Sequence, residues 1–158
     1  MLYNSVFLLS WIKVTYIKVI HLCSMKDTNK KTMNILLWLA QGLMAAMFIM
    51  AGASKSFQPI EALGASMPWV ASVSDSLVRF IGVSELLGGI GIILPAMLRF
   101  KPNLTVTAAL GLVTVMLMAA IFHAYRGEFT AIGGNAIFAA ICGFIAWGRS
   151  KKAPILAK

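Results

Sequence analysis

The chain has 158 residues, of which 59% are hydrophobic and 12% are charged, and its mean hydropathy is +0.84. Soluble domains are typically about 45–50% apolar and about 25% charged, so the composition excludes an ordinary soluble domain and predicts an integral membrane protein surrounded by the lipid bilayer. The net charge is +9, but the basic residues lie at segment ends rather than in one patch, so no nucleic-acid partner is expected.

Residues 1–32 precede the first candidate span. Lys13 and Lys18 interrupt their apolar stretch, and neither a leading basic region nor a small-residue cleavage site marks a secretory signal. A span here would bury both lysines at about 2.5–3.5 kcal/mol each, so we expect a cytoplasmic extension. A start at Met25 or Met33 is the alternative, because MKDTNKKTMNILLW is typical of a basic lead into a span.

Four apolar segments are long enough to cross a bilayer, which takes roughly 20 helical residues. They comprise residues 33–54, 77–98, 103–125 and 129–148. A strand in lipid would leave its backbone groups unpaired, so each segment is predicted to be a helix. The predicted fold class is therefore an all-α integral membrane four-helix bundle over residues 33–150, followed by a basic cytoplasmic tail over residues 151–158.

The distribution of lysine and arginine predicts the orientation. Most basic residues lie before the first span, between the second and third, and after the fourth, whereas the other side carries Lys55, Arg79 and Arg126. Because short cytoplasmic loops are enriched in Lys and Arg, both termini are predicted to be cytoplasmic.

The connection between the first two spans is the only long one. Pro59 followed by IEALGASM predicts a short interfacial helix that ends before Pro68. A plain connector fits the same residues equally well.

Polar side chains concentrate in the predicted outer half of the spans. Glu85 lies eight residues inside the second span, roughly 12 Å below its outer boundary at 1.5 Å per residue. The inner half carries chiefly Gln41 and hydroxyl groups. The outer set is predicted to be a polar cluster or ligand site and comprises Lys55, Arg79, Glu85, His123 and Asn135.

Helical spacing predicts that Glu85 faces the bundle. It shares a stripe with the helix-packing residues Gly82 and Gly89, and Gly88 lies beside them. Small residues let neighbouring helices approach closely in lipid. The first span offers a matching stripe, which comprises Gly42, Ala46 and Ala53.

A carboxyl group in this position must be paired, hydrogen-bonded or protonated. The candidate partners are Lys55, Arg79 and His123, and we favour Lys55 because the first two spans should be antiparallel neighbours. Asn135 is expected to form a hydrogen bond between helices. Two interpretations stay open, namely a cluster that fixes helix register and a ligand or redox site. No residues show metal-ligand spacing, so no metal is expected.

At these residues the sequence resembles the DoxX family of small four-helix membrane proteins. The resemblance rests on GLMAAMFIMAGASKSFQP, on LVRFIGVSELLGGIGIILP and on the histidine that ends the third span, and it covers residues 33–149. It implies a cytoplasmic (inner) membrane location. The family's lysine, glutamate and histidine correspond to Lys55, Glu85 and His123.

The resemblance also implies a function, because some members of the family are associated with quinone-linked sulfur oxidation or with complexes that resist oxidative stress. We therefore expect an accessory or quinone-linked subunit of a membrane redox system, and leave open whether it is an enzyme. No cofactor is evident, so an electron path would need a quinone or a membrane redox partner protein. A non-enzymatic scaffold is the alternative. A small transporter is less favoured because no broken-helix pair is evident, although an oligomer would enlarge a pathway.

Overall fold

The computed structural model of the chain describes the backbone of residues 3–158 and the side chains of residues 29–158. Its helices are α1 (Tyr3–Phe57), α2 (Ile60–Ser66), α3 (Asp75–Leu98), α4 (Asn103–Tyr125) and α5 (Phe129–Trp147), with a 3-10 turn at Pro68–Ser72 and a π-helical turn at Gly148–Lys152. The stretches long and apolar enough to span a membrane are Asn29–Phe57, Asp75–Leu98, Asn103–Tyr125 and Phe129–Lys152. These helices confirm the predicted all-α membrane fold.

The two ends of the bundle differ in their connections. We call the end that carries residues 57–75 and 126–128 the loop end, and the end that carries residues 99–102 and 148–158 the terminal end. The predicted helix in the long loop is confirmed as α2, which begins after Pro59 and ends before the 3-10 turn. The side chains of residues 1–28 lie outside the described part of the chain, so the cytoplasmic extension over residues 1–32 stays a prediction.

Neighbouring helices in the sequence are also neighbours in the bundle. α1 packs mainly on α3, while α4 packs on both α3 and α5. The core cluster lies between them and includes Met44, Phe48, Ile92, Leu112 and Ile145. Many large apolar side chains point outward instead, as Leu39 and Met118 do, which is the arrangement that lipid-facing helices require.

Glycine controls the close approach of α1 and α3. A Cβ atom added to Gly52 would lie 2.5 Å from the backbone nitrogen of Leu86, and one added to Gly82 would lie 2.8 Å from the Cβ atom of Lys55. Gly89 faces Ile49 on α1. The two backbones therefore meet without intervening side chains near the loop end.

Gly88 and the small residues of the first span pack on other surfaces than those of the predicted stripes. Gly88 faces α4 rather than α1, because an added Cβ atom would meet Leu112. The predicted small stripe on the first span was wrong, since Gly42 has open space around it and Ala46 is exposed. Ala45 and Gly52 lie against α3 instead. Because α1 carries small residues on more than one face, periodicity alone did not identify the face that packs on α3.

Candidate functional site

Lys55 and Glu85 form a buried ion pair between α1 and α3, which we call the loop-half pair. The Nζ atom of Lys55 lies 2.5 Å from Oε2 of Glu85. Lys55 is 8% exposed and Glu85 is 4% exposed. Gly82 lies one helical turn before Glu85 and lets the backbone at Lys55 come close. The inward direction of Glu85 and its pairing with Lys55 thus agree with the expectation from the sequence.

Arg79 adds a second positive charge to this region. Its Nη1 atom donates to the main-chain oxygen of Lys55 at 2.7 Å. The last carbonyl groups of a helix lack partners within the helix, so Arg79 satisfies one of them at the end of α1. The end of α1 therefore combines the ammonium of Lys55, which contacts Glu85, with the guanidinium of Arg79, which contacts the backbone of Lys55.

His123 does not pair with Glu85. Its Nδ1 atom lies 2.5 Å from Oε2 of Glu128, and Nε of Arg126 donates to Oε1 of Glu128 at 2.8 Å. Nη1 of Arg126 also donates to the hydroxyl of Ser72 at 2.6 Å. Of the three candidate partners of Glu85, His123 is therefore hydrogen-bonded to a different acid. Glu128 is the residue that sequence reasoning missed, because a tight turn brings it back onto the histidine that it follows by five positions.

The turn that closes this second group depends on Gly127, whose φ of +71° is accessible to glycine at little cost. The hydrogen bond from His123 and then that from Arg126 lower the pKa of the Glu128 carboxyl below its ordinary value. Trp69 from the long loop packs edge-on against His123, with 6.4 Å between the ring centroids. The group ties the long loop to the end of α4.

Asn135 stands apart from both groups. Its Nδ2 atom is buried and has no hydrogen-bond partner, so the expected hydrogen bond from this amide to a neighbouring helix is not formed.

A polar network at the terminal end was also missed. Nε of Arg149 donates to Oε1 of Gln41 at 2.6 Å, and Nη1 donates to Oδ1 of Asn34 at 2.6 Å. Nε2 of Gln41 donates to the carbonyl of Ile92 at 2.8 Å. We call these three side chains, Asn34, Gln41 and Arg149, the terminal network. Gln41 was expected in the inner half of the spans, but its partners Asn34 and Arg149 were not identified as a polar network there.

The pattern that could have revealed the terminal network lies on α1. Asn34, Trp38 and Gln41 follow one another at helical spacing, and the guanidinium of Arg149 lies over the ring of Trp38 at 5.0 Å. In the sequence, Arg149 contributes only to the basic charge after the fourth span, which predicts the orientation. Arg149 and Gln41 lie 108 positions apart in the sequence, so no local pattern predicts that they pair.

The loop-half pair offers the chemistry that a small ligand could use. An ammonium has three donors, and the contact with Glu85 uses one of those on Lys55. A carboxyl can take up or release a proton. The terminal network offers donors from a guanidinium but no acid. The two sites therefore differ in what each could bind.

Comparison with known proteins identifies a family. The model of the DoxX-like family matches residues 39–145, which is more than half of the chain. Neither a curated protein nor a solved structure matches the chain. The matched region contains Lys55, Glu85 and His123 but not Asn34 or Arg149. With four membrane-spanning helices in the same region, the chain belongs to the DoxX-like family.

Proposed function

We propose that this DoxX-like membrane protein is an accessory, quinone-linked subunit of a membrane redox or oxidative-stress system. The observation that carries the proposal is the buried contact between Lys55 and Glu85 inside two membrane spans. Ionisable residues within spans are expensive and mark functional sites by default. An acid and a base in contact are the groups needed to hold a carbonyl oxygen and to move a proton.

The charges around Glu85 fit a quinone head group. Lys55 is in contact with the carboxyl, and Arg79 adds a second positive charge at the main-chain oxygen of Lys55, so an acceptor such as a carbonyl oxygen is favourable there. In this proposal Lys55 donates a hydrogen bond to that oxygen. Glu85 takes up a proton from water at the loop end and passes it to the oxygen, and it repeats this transfer for the second proton. Reduction of a quinone to a quinol takes two electrons and two protons. A membrane-associated reductase would supply the electrons as the partner protein.

The side of the bundle between α1 and α5 is the route that we favour for a ligand from the membrane. Among the described residues, a ring contact joins α1 to α5 at Phe48 and Phe138. Nearer the terminal end, Arg149 of the π-helical turn contacts α1. Lys55 lies beyond Phe48, toward the loop end. A lipid-borne molecule would therefore approach Lys55 past the part of α1 where these contacts have ended.

Quinone binding by the purified protein tests this proposal. The full chain would be reconstituted in lipid nanodiscs and titrated with a short-chain quinone, with bound quinone measured by extraction. Lys55→Gln and Glu85→Gln should each weaken binding about tenfold or more, which corresponds to about 1.4 kcal/mol. Glu61→Gln is the matched control, because Glu61 is an exposed acid on α2 and should bind as the unaltered chain does. A chain that binds no quinone reversibly would overturn the proposal.

A non-enzymatic scaffold is the second candidate. It is favoured by the direct contacts of Lys55 with Glu85 and of Arg79 with the main chain of Lys55, which join α1 to α3. In that case Glu85→Gln would lower stability and complex formation while quinone binding stayed absent in every variant.

We further propose an inner-membrane location with both termini in the cytoplasm. The terminal end carries the greater number of basic residues, namely Lys30, Lys31, Arg99, Lys101, Arg149, Lys151, Lys152 and Lys158. Positive charge of this kind favours the cytoplasmic side. A fluorescent protein fused after Lys158 should fluoresce, whereas alkaline phosphatase at the same point should be inactive. Active phosphatase would reverse the orientation.

A further inference from the structure

The guanidinium of Arg149 is a buried positive charge whose recorded partners are all neutral. Arg149 is 4% exposed, and its hydrogen bonds go to the amide oxygens of Gln41 and Asn34 and to the main-chain oxygen of Ala153. Its Nη2 atom is buried and has no partner. A buried charge without a countercharge costs several kcal/mol, so a negative group is expected to complete this site.

The described part of the chain does not provide that negative group. Within residues 29–158 the acids are Glu61, Asp75, Glu85 and Glu128, and all of them lie in the loop half of the bundle. The terminal end combines Arg149 with the exposed bases Lys151 and Lys152. The hydroxyl of Thr105, near the start of α4 at this same end, is buried and also lacks a partner. The guanidinium of Arg149 thus keeps an unused donor, and the terminal end carries an excess of positive charge.

The position of the site relative to the bilayer narrows the choice of anion. Arg149 lies over the ring of Trp38, and the Lys152 ammonium lies 5.2 Å from the ring centroid of Trp147. Tryptophan rings are enriched at the level of lipid headgroups. Basic pockets at the ends of membrane helices recognise anionic headgroups, and the planar fork of arginine matches phosphate oxygens.

We propose that Arg149, held by Asn34 and Gln41, binds a phosphate group at the terminal end, and that an anionic phospholipid headgroup supplies it. The oxygen of Ala153, which accepts from Nη1 at 3.2 Å, marks where the chain covers the guanidinium. Residues 153–158 run from there to Arg99, whose carbonyl accepts from the backbone nitrogen of Lys158 at 3.2 Å. In this proposal the tail moves aside when phosphate occupies the site.

Native mass spectrometry of the full chain tests this proposal. The protein in detergent would be offered phosphatidylglycerol and phosphatidylcholine in equal amounts, and the retained ratio would be measured. Arg149→Gln should reduce the preference for phosphatidylglycerol about tenfold, or about 1.4 kcal/mol. Lys151→Gln is the matched control, since it removes an exposed base from the same turn, and the ratio should change much less.

A second variant preserves the test if Arg149→Gln does not fold. Asn34→Asp keeps the acceptor for Nη1 and adds a carboxylate beside the guanidinium. It should also lower the preference for phosphatidylglycerol, by up to about fivefold because solvent screens the exposed new pair. An unfolded protein would lose both lipids, whereas the proposal requires selective loss of the anionic one.

Inorganic phosphate distinguishes the two sources of the same group. If an excess of inorganic phosphate displaces phosphatidylglycerol from the unaltered chain, the site accepts soluble phosphate as well, and the phosphate assignment stands. If it does not, the lipid is the source. Equal losses in Arg149→Gln and Lys151→Gln would indicate general attraction to a basic surface and overturn the proposal. Unchanged preference in Asn34→Asp and Arg149→Gln would overturn it also.

Discussion

The loop-half pair and the terminal network both fasten α1 to the rest of the bundle, but they balance charge differently. Lys55 and Glu85 are opposite charges from the same chain and join two helices that are consecutive spans. Arg149 is held by two amides and joins the first span to the last. A site in which the chain itself supplies both opposite charges can serve as a structural joint or a proton carrier. A site whose charge has no countercharge among the described residues is expected to bind an anion from outside the chain.

Breaking the loop-half pair should have the largest effect on stability. Glu85→Ala leaves the buried ammonium of Lys55 without a countercharge, which should lower the free energy of unfolding by about 3–5 kcal/mol. Thermal unfolding in detergent, followed by circular dichroism, would measure this change. Removing both charges in Lys55→Met with Glu85→Leu should restore most of the loss, because apolar replacement of a buried pair is often neutral.

The control for this prediction is Glu61→Ala, which removes an exposed acid from α2 and should leave the unfolding midpoint nearly unchanged. A double variant as unstable as Glu85→Ala alone would show that the pair contributes packing or hydration that charge balance does not explain.

The close approach of α1 and α3 beneath the pair should give the next largest effect. A Cβ atom at Gly52 would lie 2.5 Å from the nitrogen of Leu86 and 2.7 Å from the oxygen of Gly82. Because both are backbone atoms, Gly52→Ala must separate the helices and should cost about 1–3 kcal/mol. The same denaturation experiment measures it.

Gly42→Ala on the same helix is the matched control. Its added methyl group meets nothing within 4 Å, and alanine is favoured over glycine in a helix by about 0.5–1 kcal/mol. This variant should therefore be slightly stabilised. Equal destabilisation of the two variants would contradict the assignment of the packed face.

An acid placed beside Arg149 should give the terminal end an ion pair, as the loop half has between Lys55 and Glu85. Asn34→Asp keeps an oxygen at the position that accepts from Arg149 and provides the missing countercharge. Because Asn34 is exposed, solvent screens the new pair, and we expect a gain of about 0.2–1 kcal/mol in lipid-free detergent. The unfolding midpoint measures this gain, and a loss of stability would show that Arg149 is already balanced.

The sequence predicted what depends on composition and local spacing. Apolar length predicted the four spans, and the stripe that Glu85 shares with Gly82 and Gly89 predicted that this carboxyl faces the bundle. Pairings set by tertiary packing were not predictable. Glu128 reaches His123 through a tight turn, and Arg149 reaches Gln41 across the whole bundle. Outer-half residues were grouped by depth alone, but depth does not specify which sides of four helices meet.

The smallest effect should come from Glu128, which lies at the surface of the loop end. Its pKa is lowered by the hydrogen bond from His123 and then by that from Arg126. A carboxyl with a lowered pKa in the folded state stabilises the protein above its unfolded pKa, and this contribution is lost as the pH falls through the folded value. The unaltered chain should therefore lose stability relative to Glu128→Gln as the pH falls below the ordinary value of 4.5.

Unfolding midpoints of the two proteins across this acidic range, at low and at high salt, would measure the difference. Added salt should shrink it, because exposed charges are screened, whereas the buried pair at Lys55 and Glu85 should be nearly insensitive to salt. A difference that stays constant with pH would mean that the Glu128 carboxyl is not stabilised in its charged form by the folded state. The response to salt thus distinguishes the exposed Glu128 site from the buried pair of Lys55 and Glu85, although both contain one acid and a basic neighbour.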